Sequence, residues 1–151
     1  VSLRFCMVGG MAIHKGYAVL RAAMQVAQFG ARAVFTIVDH RLDLDDPTYS
    51  LVWGGSRVVF IPPIPMDCMQ DFYATQDVLI APSIWPESFG LVTREALAAG
   101  LWVVASETGA LAEPIEHGIN GFRVKPGDIP GLATALTDCM KHCLKLVPTG
   151  A

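Results

Sequence analysis

Two carboxylates, Glu87 and Glu95, stand eight residues apart in the stretch 82–100. A carboxylate accepts hydrogen bonds from two vicinal hydroxyls at once, so a pair of them suits a ligand with two sugars, such as a nucleotide sugar. Between the acids lies Ser88-Phe89-Gly90-Leu91-Val92. Its glycine lets backbone come close to a ligand, and the first N–H groups of a helix opening at Leu91 would meet a phosphate or a sugar hydroxyl. Taken singly, each acid has a plainer account. Glu87 is then a loop carboxylate that stabilises the following helix by ~0.3–1 kcal/mol through its dipole. Glu95 is an exposed helical charge beside Arg94. Their shared setting makes hydroxyl acceptance the better account. A second group, Gly9-Gly10 followed by His14-Lys15-Gly16, resembles a phosphate loop in miniature. It matches neither the dinucleotide fingerprint G-x-G-x-x-G nor the P-loop G-x-x-x-x-G-K-[ST], which weakens simple NAD and ATP readings. Lys15 remains a cation able to neutralise a diphosphate, although a solvated lysine at a helix start is the generic expectation.

These residues need a scaffold, and apolar periodicity supplies one. Strands are expected at residues 3–8, 33–38, 57–61, 77–81, 102–105 and 121–124. Helices are expected at 16–29 with a stop at Gly30, at 66–75, 91–99 and 111–117, and from a cap at Asp128 to about residue 144, with a short one at 49–53. Most strands lack period-2 alternation and alternate with helices, which implies an α/β fold: a doubly wound, Rossmann-like parallel sheet covered on both faces. Ligands in such sheets bind beyond the carboxyl ends of the strands, where the order reverses. In a 3-2-1-4-5-6 order the ends after the first and fourth strands are neighbours. Gly9-Gly10 and the segment leading to Glu87 would then share one crevice.

A chain of 151 residues suits a single domain. It is 52% hydrophobic, yet no apolar run approaches the roughly 18 residues of a membrane span. A net charge of -3, without a basic stripe, gives no argument for nucleic acid. The cysteines Cys6, Cys68, Cys139 and Cys143 are too scattered for a disulfide framework, so free thiols in a reducing cytoplasm are expected. Cys139, His142 and Cys143 lack a second ligand pair for a metal. The chain opens at Val1 and enters a strand almost at once, as an excised segment of something longer would.

The run 77–127 strongly resembles the nucleotide-sugar-binding half of retaining glycosyltransferases of family four, the group 1 glycosyltransferases with the two-domain GT-B fold. The matching residues are Phe72-Tyr73-Ala74 before Asp77-Val78, Pro82-Ser83, the E-x7-E pair Glu87 and Glu95, and Phe89-Gly90-Leu91-Val92. They continue through Glu95-Ala96-Leu97-Ala98-Ala99-Gly100, Val103-Val104-Ala105-Ser106, Gly109 with Glu113, and Asn120-Gly121-Phe122. Gly9 and Lys15-Gly16 match the family's first βα loop.

The resemblance implies that Glu87 faces the transferred sugar and Glu95 holds the ribose hydroxyls. It also implies that Phe89, Gly90, Leu91 and Val92 offer backbone N–H groups to the sugar and diphosphate. Lys15 would stabilise the departing diphosphate without a metal, and Ile61 would lie near the base. Many relatives carry arginine where this chain has Gly10, so Gly10 backbone and His14 take over part of that role, binding is weaker, or phosphate is positioned differently. No cofactor or metal is implied beyond the donor, a UDP- or GDP-sugar. The acceptor, a saccharide or lipid-linked molecule, belongs with an N-terminal domain absent from this chain. The isolated domain should therefore bind donor without transferring it, and any peripheral membrane contact would run through the missing part. Polysaccharide biosynthesis in the cytoplasm is the implied setting. Three rival readings carry less of the sequence: a glycoside hydrolase, a non-catalytic nucleotide-sugar module, and a receiver- or flavodoxin-like domain.

Overall fold

In a computed structural model the chain is described over residues 2–9, 16–85 and 90–143. Seven strands form one sheet: β1 (Leu3–Val8), β2 (Ala33–Val38), β3 (Tyr49–Trp53), β4 (Ser56–Ile61), β5 (Val78–Ala81), β6 (Trp102–Ser106) and β7 (Gly121–Val124). Their order is β3-β4-β2-β1-β5-β6-β7. Six run parallel in the expected reversal order, so the ends of β1 and β5 are adjacent.

The helices are α1 (Tyr17–Ala27), α2 (Met69–Ala74), α3 (Leu91–Ala98) and α4 (Ile129–Cys143), with 3-10 turns at Gly30–Arg32 and Met66–Cys68. Side chains of β1 divide between two cores. Leu3, Phe5 and Met7 join Leu20 and Met24 of α1 and Leu136 and Cys139 of α4. Cys6 faces the other way, to Tyr73 of α2, Ala96 of α3 and Leu79, Val103 and Ala105. Burial on both faces is why these strands read as continuous apolar runs. The short β1–β5 ladder is reinforced at its start by Asp77, whose carboxylate accepts from the Arg4 backbone N–H at 2.8 Å and from its guanidinium at 3.0 and 3.1 Å.

Three sequence expectations are corrected. Residues 49–53 form a strand rather than a helix, antiparallel to β4 through a two-residue turn at Gly54 and Gly55, both at positive φ. Tyr49 and Trp53 share a face and pack on Phe60, with ring centroids 4.7 and 5.8 Å apart. The helix expected at 111–117 is absent: residues 111–114 are turns and His117 makes an isolated bridge with Gly121. Pro114 has no N–H to give the Ala110 carbonyl. That carbonyl and its Leu111 neighbour instead accept from Arg94 at 3.2 Å and Thr93 at 2.8 Å. Helix α1 ends at Ala27, closed by Gln28 in the left-handed region at φ 54°, before the expected stop at Gly30.

Candidate functional site

The crevice forms where the chain leaves β1 and β5. Gly9, with φ 114°, turns the backbone out of β1. Gly16, at φ 82°, is the residue from which α1 starts, and a Cβ there would fall on the Pro82 carbonyl oxygen. The loop after β1 therefore rests directly on the loop after β5. Gly10 and Lys15, expected to meet a diphosphate, lie outside the described residues, as do Glu87, Ser88 and Phe89.

Helix α3 starts from Gly90, buried and left-handed at φ 60°. A Cβ at this position would stand 2.5 Å from the Ala110 carbonyl oxygen, so the close backbone approach that demands glycine here is to the loop after β6. Two neighbours fix that contact. Fully buried Thr93 donates its hydroxyl towards the carbonyls of Gly90 at 2.9 Å and Leu111 at 2.8 Å. Arg94 donates to the Ala110 carbonyl and pairs with Glu113 at 3.0 Å. Sequence reasoning assigned neither residue a role, although a threonine three positions after a helix-opening glycine is a local signal for such a tie.

Leu91 is exposed, while Val92 is half-buried and lines a small hollow with Met7, Val8, Pro82, Ser83 and Leu111. This hollow brings the end of β1, the end of β5 and the start of α3 together. Glu95, exposed on the second turn of α3, opens instead onto a larger cavity of about 520 Å³ between α2 and α3. Met66, Met69, Gln70 and Tyr73 form its other wall. Ile61, half-buried at the end of β4, lines neither space; its carbonyl accepts from the Asp39 N–H at 2.8 Å.

Asp39 closes β2, near where dinucleotide-binding folds place a ribose-holding acid. Here it is fully buried and its oxygens are engaged by Arg41: Nε at 3.0 Å, Nη2 at 2.8 Å and backbone N at 3.0 Å. The guanidinium's hydrogen bonds hold the Asp39 carboxyl below its usual range, against the opposing effect of burial. Cys6, Cys139 and Cys143 are buried and Cys68 exposed, all as free thiols. Among the described residues no cluster of three or more His, Cys, Asp or Glu is arranged to hold a metal ion, and no helix is long and apolar enough to cross a membrane.

A sheet with this reversal and glycine-started helices at its carboxyl end define a Rossmann-like α/β domain. The family model described as "Glycosyl transferases group 1" matches residues 2–142, and the chain belongs to that family. It is 37% identical over 129 residues to an uncharacterized glycosyltransferase of Methanocaldococcus jannaschii, covering 83% of this chain and 33% of that protein. It is 35% identical over 97 residues to the D-inositol 3-phosphate glycosyltransferase of Rhodococcus opacus, covering 64% of this chain and 22% of that protein. The chain thus spans a third or less of these curated relatives. Among solved structures, Anabaena HepE in complex with UDP-glucose superposes with a TM-score of 0.72 at 27% identity, over 95% of this chain and 40% of that one. The architecture is that of a GT-B glycosyltransferase domain.

Proposed function

We propose that this chain is the donor-binding domain of a retaining glycosyltransferase that takes a hexose from a UDP- or GDP-sugar. The observation that carries this reading is Glu95: an exposed carboxylate on the second turn of the helix after β5, opening onto a cavity of about 520 Å³. A ribose diol offers two donors to such an acceptor. The UDP-glucose bound by HepE supports a nucleotide sugar as the ligand class.

In this reading Glu95 holds the ribose, and the N–H groups at the start of α3 meet the diphosphate. Glu87 faces the sugar. Lys15 stabilises the leaving diphosphate electrostatically, without a metal ion. The acceptor, a saccharide or lipid-linked molecule, is supplied from an N-terminal domain, so this polypeptide alone binds donor and transfers nothing. A cytoplasmic place in polysaccharide biosynthesis belongs to the same reading.

Calorimetric titration with UDP, GDP and ADP tests it. UDP or GDP should bind, Glu95→Ala should weaken that binding at least tenfold, and EDTA should leave it unchanged. Absence of binding at millimolar nucleotide would overturn the assignment. Sustained transfer by this chain alone would overturn the division of labour between the two domains.

A further inference from the structure

Tyr73 is 2% exposed, and among the described residues its hydroxyl has no hydrogen-bond partner. Buried phenols ordinarily find one, so the orphaned oxygen calls for a cause. Packing does not supply it. The ring of Tyr73 lies against Phe72 and within the cluster containing Cys6, Leu79 and Ala96, where phenylalanine would fill the same space. Tyr73 lines the cavity onto which Glu95 opens, and its oxygen is a donor buried behind that wall, near enough for the Glu95 charge to act on it. Ala74, Ala98 and Ala99 line the same space, and their short side chains leave it open between the helices. Burial first and the Glu95 carboxylate second push the Tyr73 phenol above its ordinary range, so the hydroxyl keeps its proton at neutral pH.

We propose that Tyr73 is a positioning residue for Glu95: on nucleotide binding its hydroxyl donates to one carboxylate oxygen and fixes the orientation in which Glu95 accepts from the ribose diol. A carboxylate has about four acceptor positions, enough for one phenol and two ribose hydroxyls. An exposed glutamate on a helix otherwise samples several rotamers, and that freedom is lost on binding. A donor preset behind the cavity wall limits the loss. The inference rests on the donor-site reading above, and its test separates the two.

UDP and GDP are titrated into the wild-type chain, Tyr73→Phe, Glu95→Ala and the double variant, with thermal unfolding measured in parallel. Tyr73→Phe should keep or raise the unfolding temperature, because it removes an unsatisfied buried group. It should weaken nucleotide binding by roughly 3- to 10-fold, the net worth of one ordinary hydrogen bond, and by no more than Glu95→Ala does. It should have no further effect once Glu95 is alanine, nor on binding of a 2′,3′-dideoxynucleotide. Wild-type affinity in Tyr73→Phe, with Glu95→Ala weakened, overturns the role of Tyr73 and leaves the donor site standing. An equal loss from Tyr73→Phe with and without Glu95 also overturns it, as a purely structural effect. A wild-type chain that binds neither nucleotide removes the donor-site reading, and this proposal falls with it.

Discussion

Helices α1 and α3 begin differently from α4. Both of the former start on a glycine in the left-handed region, Gly16 and Gly90, which brings no side-chain acceptor to the first turn. Helix α4 starts at Asp128, whose Oδ1 accepts from the Gly131 N–H at 2.9 Å. The first pair follow β1 and β5, whose adjacent ends frame the crevice, whereas α4 follows β7 at the sheet edge. A helix that caps itself with a carboxylate has used the attraction its N-terminus holds for an anion. The two glycine-started helices have no such side-chain cap, which under the proposed function leaves it for the donor's diphosphate. They hold their places by backbone contact instead: Gly16 against Pro82, and Gly90 against Ala110.

That contrast can be broken most sharply at Gly16. Gly16→Ala combines a left-handed backbone with a Cβ driven onto the Pro82 carbonyl, and should cost ~3–5 kcal/mol in urea unfolding while abolishing nucleotide binding. Thr93→Val keeps the shape and deletes the hydroxyl between the Gly90 and Leu111 carbonyls. A loss of ~1–3 kcal/mol is expected, with a measurable fall in UDP affinity by calorimetry. Asp128→Ala is the complementary control. It should cost ~1 kcal/mol of stability and leave nucleotide affinity untouched. Equal effects of Asp128→Ala and Thr93→Val on binding would dissolve the distinction between the two kinds of helix start.

Acid should have the mildest effect. Because Asp39 titrates below its unfolded value of about 3.9, its pairing with Arg41 contributes fully above that pH. The contribution is lost as pH falls through the lower folded value. Comparing wild type with Asp39→Asn by thermal unfolding from pH 7 to pH 2 should show the gap narrowing only in that acid range.

Most of the sheet was legible because the parallel strands are apolar on both faces, and a run such as Val78–Ala81 has few other homes. Residues 49–53 misled because Pro47 and the acidic connector before them suggested a local helix start. The better signals were the alternation of Tyr49, Leu51 and Trp53 and the Gly54-Gly55 turn. The segment 111–117 misled for a different reason. Its composition favours a helix, but its carbonyls are claimed from outside by Thr93 and Arg94, a long-range competition that no local pattern reveals. For the site, spacing and resemblance singled out Glu95 and Gly90, which stand beside a cavity and at the start of α3. They gave no hint that Glu95 shares its cavity with an unpartnered phenol, since that depends on how α2 packs beside α3. The expected roles of Lys15 and Glu87 fall on residues outside those described.

The antiparallel strand β3 bears on how this chain can be handled. Among the described residues it is the outermost strand, with Leu51 46% and Val52 70% exposed along an edge that no other described strand pairs with. Such an edge is a template for pairing with another chain, so concentrated samples should associate there first. Val52 stands opposite Arg57 across the ladder. Val52→Glu would therefore place a carboxylate beside a guanidinium, blunting the sticky edge without touching the loops after β1 and β5.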